Sequence, residues 1–316
     1  MWCRTLVAVI VPLLLAAVTL PAEPDDFFAK AAAYKVGETR QWILEVERCV
    51  REAGGRPAER KAVEQRLLGM LGNAQATKDA KAFACEQLSL IGSAAAVPAL
   101  SALLADEALH HAVRMALERI QNDAAGAALR DALGKLDGKL LIGVINSLGE
   151  RRDAQAAAGL AKLAAGANPE TREAAIWALG RIGGPDAAKA LVAVEKALPP
   201  AAAGVWTDAC VSCADSLLQA GAKADAVELY VLLAAPARPS HVRLAALRGL
   251  VAAAPSDHLG TIIETLKGDN ARLRLAAASL FAGIPGEAAT KAFAAEFPAM
   301  PPPVQVILLG AFAARG

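Results

Sequence analysis

Thr171–Gly183, TREAAIWALGRIG, reads as a helix whose Ala, Ile, Trp and Leu leave little polar surface and whose end falls on a glycine. Nearly the same pattern returns along the chain. Lys81–Gly92 is KAFACEQLSLIG, Ala112–Gln121 is AVRMALERIQ and Leu141–Glu150 is LIGVINSLGE. Thr207–Gly221 (TDACVSCADSLLQAG), Val242–Ala254 (VRLAALRGLVAAA), Leu273–Gly286 (LRLAAASLFAGIPG) and Val304–Gly316 (VQVILLGAFAARG) continue the series. The period is about 30 residues, within the range of solenoid repeats. A second apolar segment precedes each copy from Ala112 onward: Ala95–Leu104, Ala124–Leu133, Ala154–Ala164, Asp186–Ala197, Ala224–Ala234, His258–Leu266 and Ala288–Phe297. The unit is helix, short turn, helix.

A single helix pair cannot bury both of its apolar faces, whereas stacked pairs cover one another. Ala suits such a stack because it has the best helix propensity and lets backbones approach. Gly183, Gly221 and Gly286 fall where a helix end needs a residue tolerant of left-handed backbone. Asp153, Asn168-Pro169-Glu170 and Asp269-Asn270 are N-cap signals. The expected fold is an all-α solenoid of stacked antiparallel pairs, roughly seven to eight repeats over residues 56–316.

Ala94–Ile120 (AAAVPALSALLADEALHHAVRMALERI) and Asp153–Gly184 (DAQAAAGLAKLAAGANPETREAAIWALGRIGG) resemble the HEAT-repeat family, in particular the short bacterial repeats called PBS-lyase HEAT-like. The resemblance covers most of the chain after Pro57. It implies an armadillo-like helical stack whose inner helices line a concave binding face. It also implies a scaffold or adaptor, since lyases and hydroxylases are a minority of that family.

The first residues differ from the rest. Met1–Ala22, MWCRTLVAVIVPLLLAAVTLPA, places Arg4 before an apolar stretch from Leu6 to Leu20 and a small residue at Ala22. That is the arrangement of a secretory signal, and the expectation is an exported protein, periplasmic or secreted. Cys3 precedes the apolar stretch, the wrong side for lipidation. After Thr19 no apolar run approaches the roughly 20 residues of a membrane-spanning helix. Without Met1–Ala22 the chain holds 32 basic and 32 acidic residues. That balance, with no basic stripe, argues against nucleic acid as a partner.

Residues 23–55 read as an N-terminal helical cap. Asp25-Asp26 can start a helix FFAKAAAYKV, and Glu38–Glu52 is amphipathic, with Trp42, Val46 and Cys49-Val50 on one stripe. Leu198–Trp206, LPPAAAGVW, lengthens one turn, either as a plain insertion or as a binding loop. The last helix, Val304–Phe312, carries an apolar face that another repeat, a further domain or a partner would cover.

Few residues suggest chemistry. Cys210-x-x-Cys213 lacks the second CxxC or paired His of a zinc site and sits where other repeats put small core residues. In an oxidising compartment Cys49–Cys85 and Cys210–Cys213 are candidate disulfides. His110-His111 point about 100° apart on a helix and read as a surface pair, not a metal site. Arg114, Arg172, Arg181, Arg243, Arg248, Arg272 and Arg274 recur near the second helices. They read either as ion pairs with acids of the preceding turn, such as Asp106, Glu107, Glu170 and Asp269, or as a strip for an anionic partner group. No catalytic triad, phosphate loop or cofactor motif emerges. The expected function is a non-catalytic scaffold binding a protein or peptide on its concave face. The alternative is an accessory module of an enzyme, with the catalytic domain elsewhere or with lyase-like activity.

Overall fold

The computed structural model describes residues 26–315, and every regular element among them is helical. Met1–Ala22 lies outside the described residues. The chain starts with α1 (Phe27–Ala31) and α2 (Gln41–Ala53). Hairpins follow. Their first helices are α3 (Pro57–Gly72), α5 (Val97–Ser101), α7 (Asp123–Ala132), α9 (Ala157–Ala164), α11 (Gly184–Glu195), α13 (Lys223–Ala234), α15 (Leu259–Lys267) and α17 (Glu287–Glu296). Their second helices are α4 (Lys78–Ile91), α6 (His110–Arg119), α8 (Gly138–Glu150), α10 (Pro169–Ile182), α12 (Ala203–Gln219), α14 (Ser240–Ala253), α16 (Ala271–Gly283) and α18 (Pro302–Arg315). From α4 to α18 each even-numbered helix lies against the next, and the odd-numbered helices flank them as a second layer. The chain is an all-α solenoid.

Local chemistry sets the helix ends. The Asn168 side chain accepts from Thr171 N at 2.9 Å and Pro169 occupies the first turn of α10. Asn270 caps α16 in the same way through Leu273 N at 3.1 Å. At the far end of α10, Gly183 has φ +66°, and the turn after α12 has Gly221 at φ +81°. The turn after α8 puts Arg152 in that region, at φ 51°. Gly286 begins α17 instead of ending α16.

The side chains of one pair fill the gaps of the next. An apolar core runs unbroken from Phe28 to Leu250, and a second cluster from Leu247 to Ala311 shares α14 with it. A fully buried Leu or Ile at these contacts, such as Leu160, Ile176 or Leu179, contributes about 1.5–3 kcal/mol. In the second cluster Phe281 stacks on Phe293 at 3.9 Å between ring centres. On α18, Val306 and Leu309 are exposed.

The cap differs from expectation in extent. The predicted first helix stops at Ala31, and Asp26 caps it by accepting from Phe28 N at 3.1 Å. Thr77 N donates to Ala32 O at 3.0 Å and Val36 N to Asp79 Oδ2 at 2.8 Å, which ties the cap to the start of α4. The long turn at Leu198–Trp206 is also partly helix. Pro200–Ala202 makes one 3-10 turn and α12 begins at Ala203. Trp206 is fully buried and its Nε1 donates to Leu191 O at 2.8 Å, so the insertion anchors α12 on α11.

Candidate binding groove on the even-numbered helices

The two sides of α12 pack differently. On one side, α10 approaches very closely: a Cβ on Gly180 would stand 2.6 Å from Ala209 Cα. Gly149 serves in the same way in the preceding repeat, where a Cβ would meet Ala178 Cα at 3.1 Å. On the other side, Tyr230 from α13 reaches between α12 and α14. Its ring lies on Gly249, where a Cβ would fall 2.3–2.5 Å from the ring carbons. The hydroxyl donates to Asp215 Oδ1 on α12 at 2.5 Å. Burial, with this bond to a carboxylate, pushes the phenol well above its ordinary 10.0.

Over this junction the exposed surface forms a cavity of about 490 Å3. Its floor is the polar stripe of α12, Asp208, Ser212, Asp215 and Gln219. These positions are spaced i, i+4, i+7, i+11 on one helix face. Arg181 of α10 and His241 and Ala245 of α14 form the sides, and Arg152 reaches in from the turn after α8. A second hollow of about 300 Å3 shares Arg181, Asp208 and Ser212 and extends the groove to Trp177, which is 37% exposed. Arg181 Nη2 donates to Glu150 Oε2 at 3.0 Å, its guanidinium lies 5.9 Å from the Trp177 ring centre, and its Nε is buried without a partner. Among the described residues, the side chains of Arg152 and Asp208 form no hydrogen bond or ion pair.

The arginines named from sequence do not make one strip. Arg172, Arg243 and Arg274 share one position, the fourth residue of α10, α14 and α16. Each turns back to carbonyls closing the preceding helix: Gly166 at 2.7 Å, Ala234 at 3.3 Å and Gly268 at 3.1 Å. Their partners are helix C-termini, where unsatisfied carbonyls favour cations, and not the acids of the turn. Arg114 is half-buried and donates to Ser147 Oγ at 2.8 Å, with Glu118 3.8 Å away. Burial lowers its pKa, with Glu118 opposing. Arg248 and Arg272 are exposed, and among the described residues their side chains have no hydrogen bond or ion pair. Of the sequence candidates only Arg181 lines the groove. Two arginines outside the sequence candidates hold neighbouring repeats together: Arg151 donates to Leu117 O, Glu118 O, Ile120 O and Asn122 O, and Arg315 to Phe281 O, Ile284 O and Gly286 O.

Neither candidate disulfide is formed, and Cys49, Cys85, Cys210 and Cys213 are free thiols. Cys85, Cys210 and Cys213 are core residues, and burial pushes Cys85 and Cys213 up to about 12. The His110-His111 reading is corrected as well. His110 is buried, with Nδ1 2.7 Å from Leu104 O, while His111 stays exposed beside Arg114. Among the described residues no three His, Cys, Asp or Glu side chains gather as a metal site, and no helix is long and apolar enough to cross a membrane.

Sequence reasoning missed Asp208, Ser212, Asp215, Gln219, Arg152, His241 and Tyr230. A signal was present for α12: four polar residues on one stripe of the otherwise apolar TDACVSCADSLLQAG.

Residues 133–198 match the family model described as HEAT repeats. No curated protein matches the chain. Among solved structures, an engineered protein is similar at 19% identity with a TM-score of 0.42, over 92% of this chain and 89% of that one. Human deoxyhypusine hydroxylase, solved in complex with glycerol, is similar at 21% identity with a TM-score of 0.36, over 70% of this chain and 85% of that one. Residues 133–198 are thus similar to HEAT repeats, and stacked helical hairpins continue to either side of them.

Proposed function

We propose that this protein is a non-catalytic scaffold that binds a protein or peptide partner across its even-numbered helices, after export from the cytoplasm. The observation that carries the reading is the groove over α12, which places the exposed Trp177 beside polar and charged side chains of both signs. Exposed Trp and Arg beside a hollow are the residues most often found anchoring protein interfaces. The proposal of export rests on the signal-like Met1–Ala22.

Affinity capture from the cell envelope with the wild-type protein and with Trp177→Ala/Arg181→Glu tests the binding. A partner recovered by the wild type and depleted by at least tenfold with the variant is expected. Identical recovery with both would sink the reading. N-terminal sequencing of the same preparation is expected to start at or near Glu23, and an intact Met1 in the cytoplasm would remove export.

A further inference from the structure

Resting on that reading, we infer that the groove takes an extended peptide segment with a basic and an acidic side chain about four residues apart. Two of its four charges already have partners: Arg181 with Glu150, and Asp215 with Tyr230. The other two, Asp208 and Arg152, have opposite sign and come from opposite sides of α10, Asp208 from α12 and Arg152 from the turn after α8. Packed helices stand about 8–10 Å apart, so the two backbones are roughly 16–20 Å apart, a gap that the side chains reaching into the cavity shorten. Four residues of extended chain cover about 13 Å, so a base over Asp208 and an acid at Arg152 fit one segment.

Beside these charges Ser212, Ser216 and Gln219 line the cavity and offer both donors and acceptors, the complement of peptide N–H and C=O groups. Trp177 gives the chain an apolar wall. A polyanion would meet Asp208 and Asp215, and a polycation would meet Arg152 and Arg181, each with like-charge repulsion. Arg152 adds a separate indication. It holds a left-handed backbone in the turn where the α12 repeat has Gly221, and its side chain lines the cavity. Strain kept where glycine would relieve it points to use of the side chain.

Fluorescence anisotropy with labelled, end-blocked peptides tests this. Lys-Ala-Ser-Ala-Glu and its reverse are compared with versions in which Lys, Glu or both are Ala, and with Lys/Lys and Glu/Glu peptides. One mixed-charge peptide is expected to bind best, with each replacement weakening it about five- to tenfold. Asp208→Asn should erase only the preference for Lys. Arg152→Gly should erase only the preference for Glu, while the thermal midpoint stays level or rises. Like-charged peptides binding equally well, or preferences unchanged in both variants, would overturn the inference. If no peptide binds yet the Trp177-dependent partner is still captured, the peptide inference falls and the scaffold reading stands. If capture is also lost, both fall.

Discussion

The two faces of α12 are built differently although both belong to the same repeat. Towards α10 the contact is backbone on backbone, through Gly180 and Ala209. Towards α14 an aromatic ring from the other layer, Tyr230, is interposed and rests on Gly249. Both sides carry hollows at the surface, about 300 Å3 over the Gly180–Ala209 contact and about 490 Å3 reaching from α10 across α12 to α14, but only the α14 side has a ring between its helices. The residue at the contact therefore decides how two neighbouring helices meet, backbone on backbone or across a ring, while the repeat pattern stays the same.

Adding one methyl group at each glycine separates the two arrangements. Gly180→Ala and Gly249→Ala should each cost about 2–4 kcal/mol in denaturant unfolding, from overpacking of a filled contact. The obstacle at Gly180 is mainly backbone, so no trimming of a neighbour should restore it. At Gly249 the obstacle is a side chain, and combining it with Tyr230→Ala should be less than additive by about 1–3 kcal/mol. Additive behaviour at Gly249 would mean that the ring is not the spacer.

Alkali should act next, through the buried thiols of α12 and α4. Cys85 and Cys213 have folded pKa values of about 12, above their ordinary 9.0. The folded state thus holds protons that the unfolded chain releases, and the associated stability is present below pH 9 and lost as pH rises towards 12. At pH 10 each thiol should withdraw up to about 1.4 kcal/mol. Thermal midpoints falling between pH 9 and 11, with a shallower fall in Cys85→Ala, are expected; a flat profile would contradict the burial of these thiols.

The smallest effect concerns the hydroxyl alone. Tyr230→Phe removes the bond to Asp215 and keeps the ring, and because Asp215 is exposed, water can replace the lost donor. A loss of about 1 kcal/mol is expected, with the groove preserved. A loss as large as that of Gly249→Ala would show that the hydrogen bond, and not the ring, sets the helix spacing.

Much of this architecture was readable from residues 57 onward. Alternating apolar helices, Asn168 and Asn270 as caps, and Gly183 and Gly221 at helix ends are local signals, and each acts within one turn of its own position. The groove was not readable in the same way. Arg172, Arg243 and Arg274 look alike in sequence to Arg181, yet only Arg181 faces the cavity, because the others lie one turn from an open helix end that captures them.

The sequence by itself determined the helix period, the pairing of helices and the need to stack, because an amphipathic pair cannot shield itself from water. Only the tertiary structure decided how the junction between α12 and α14 is filled. That depends on Tyr230 crossing from one layer to the other to meet Gly249 and Asp215, residues 19 and 15 positions away on separate helices. No local pattern encodes a contact that exists only once both layers are in place.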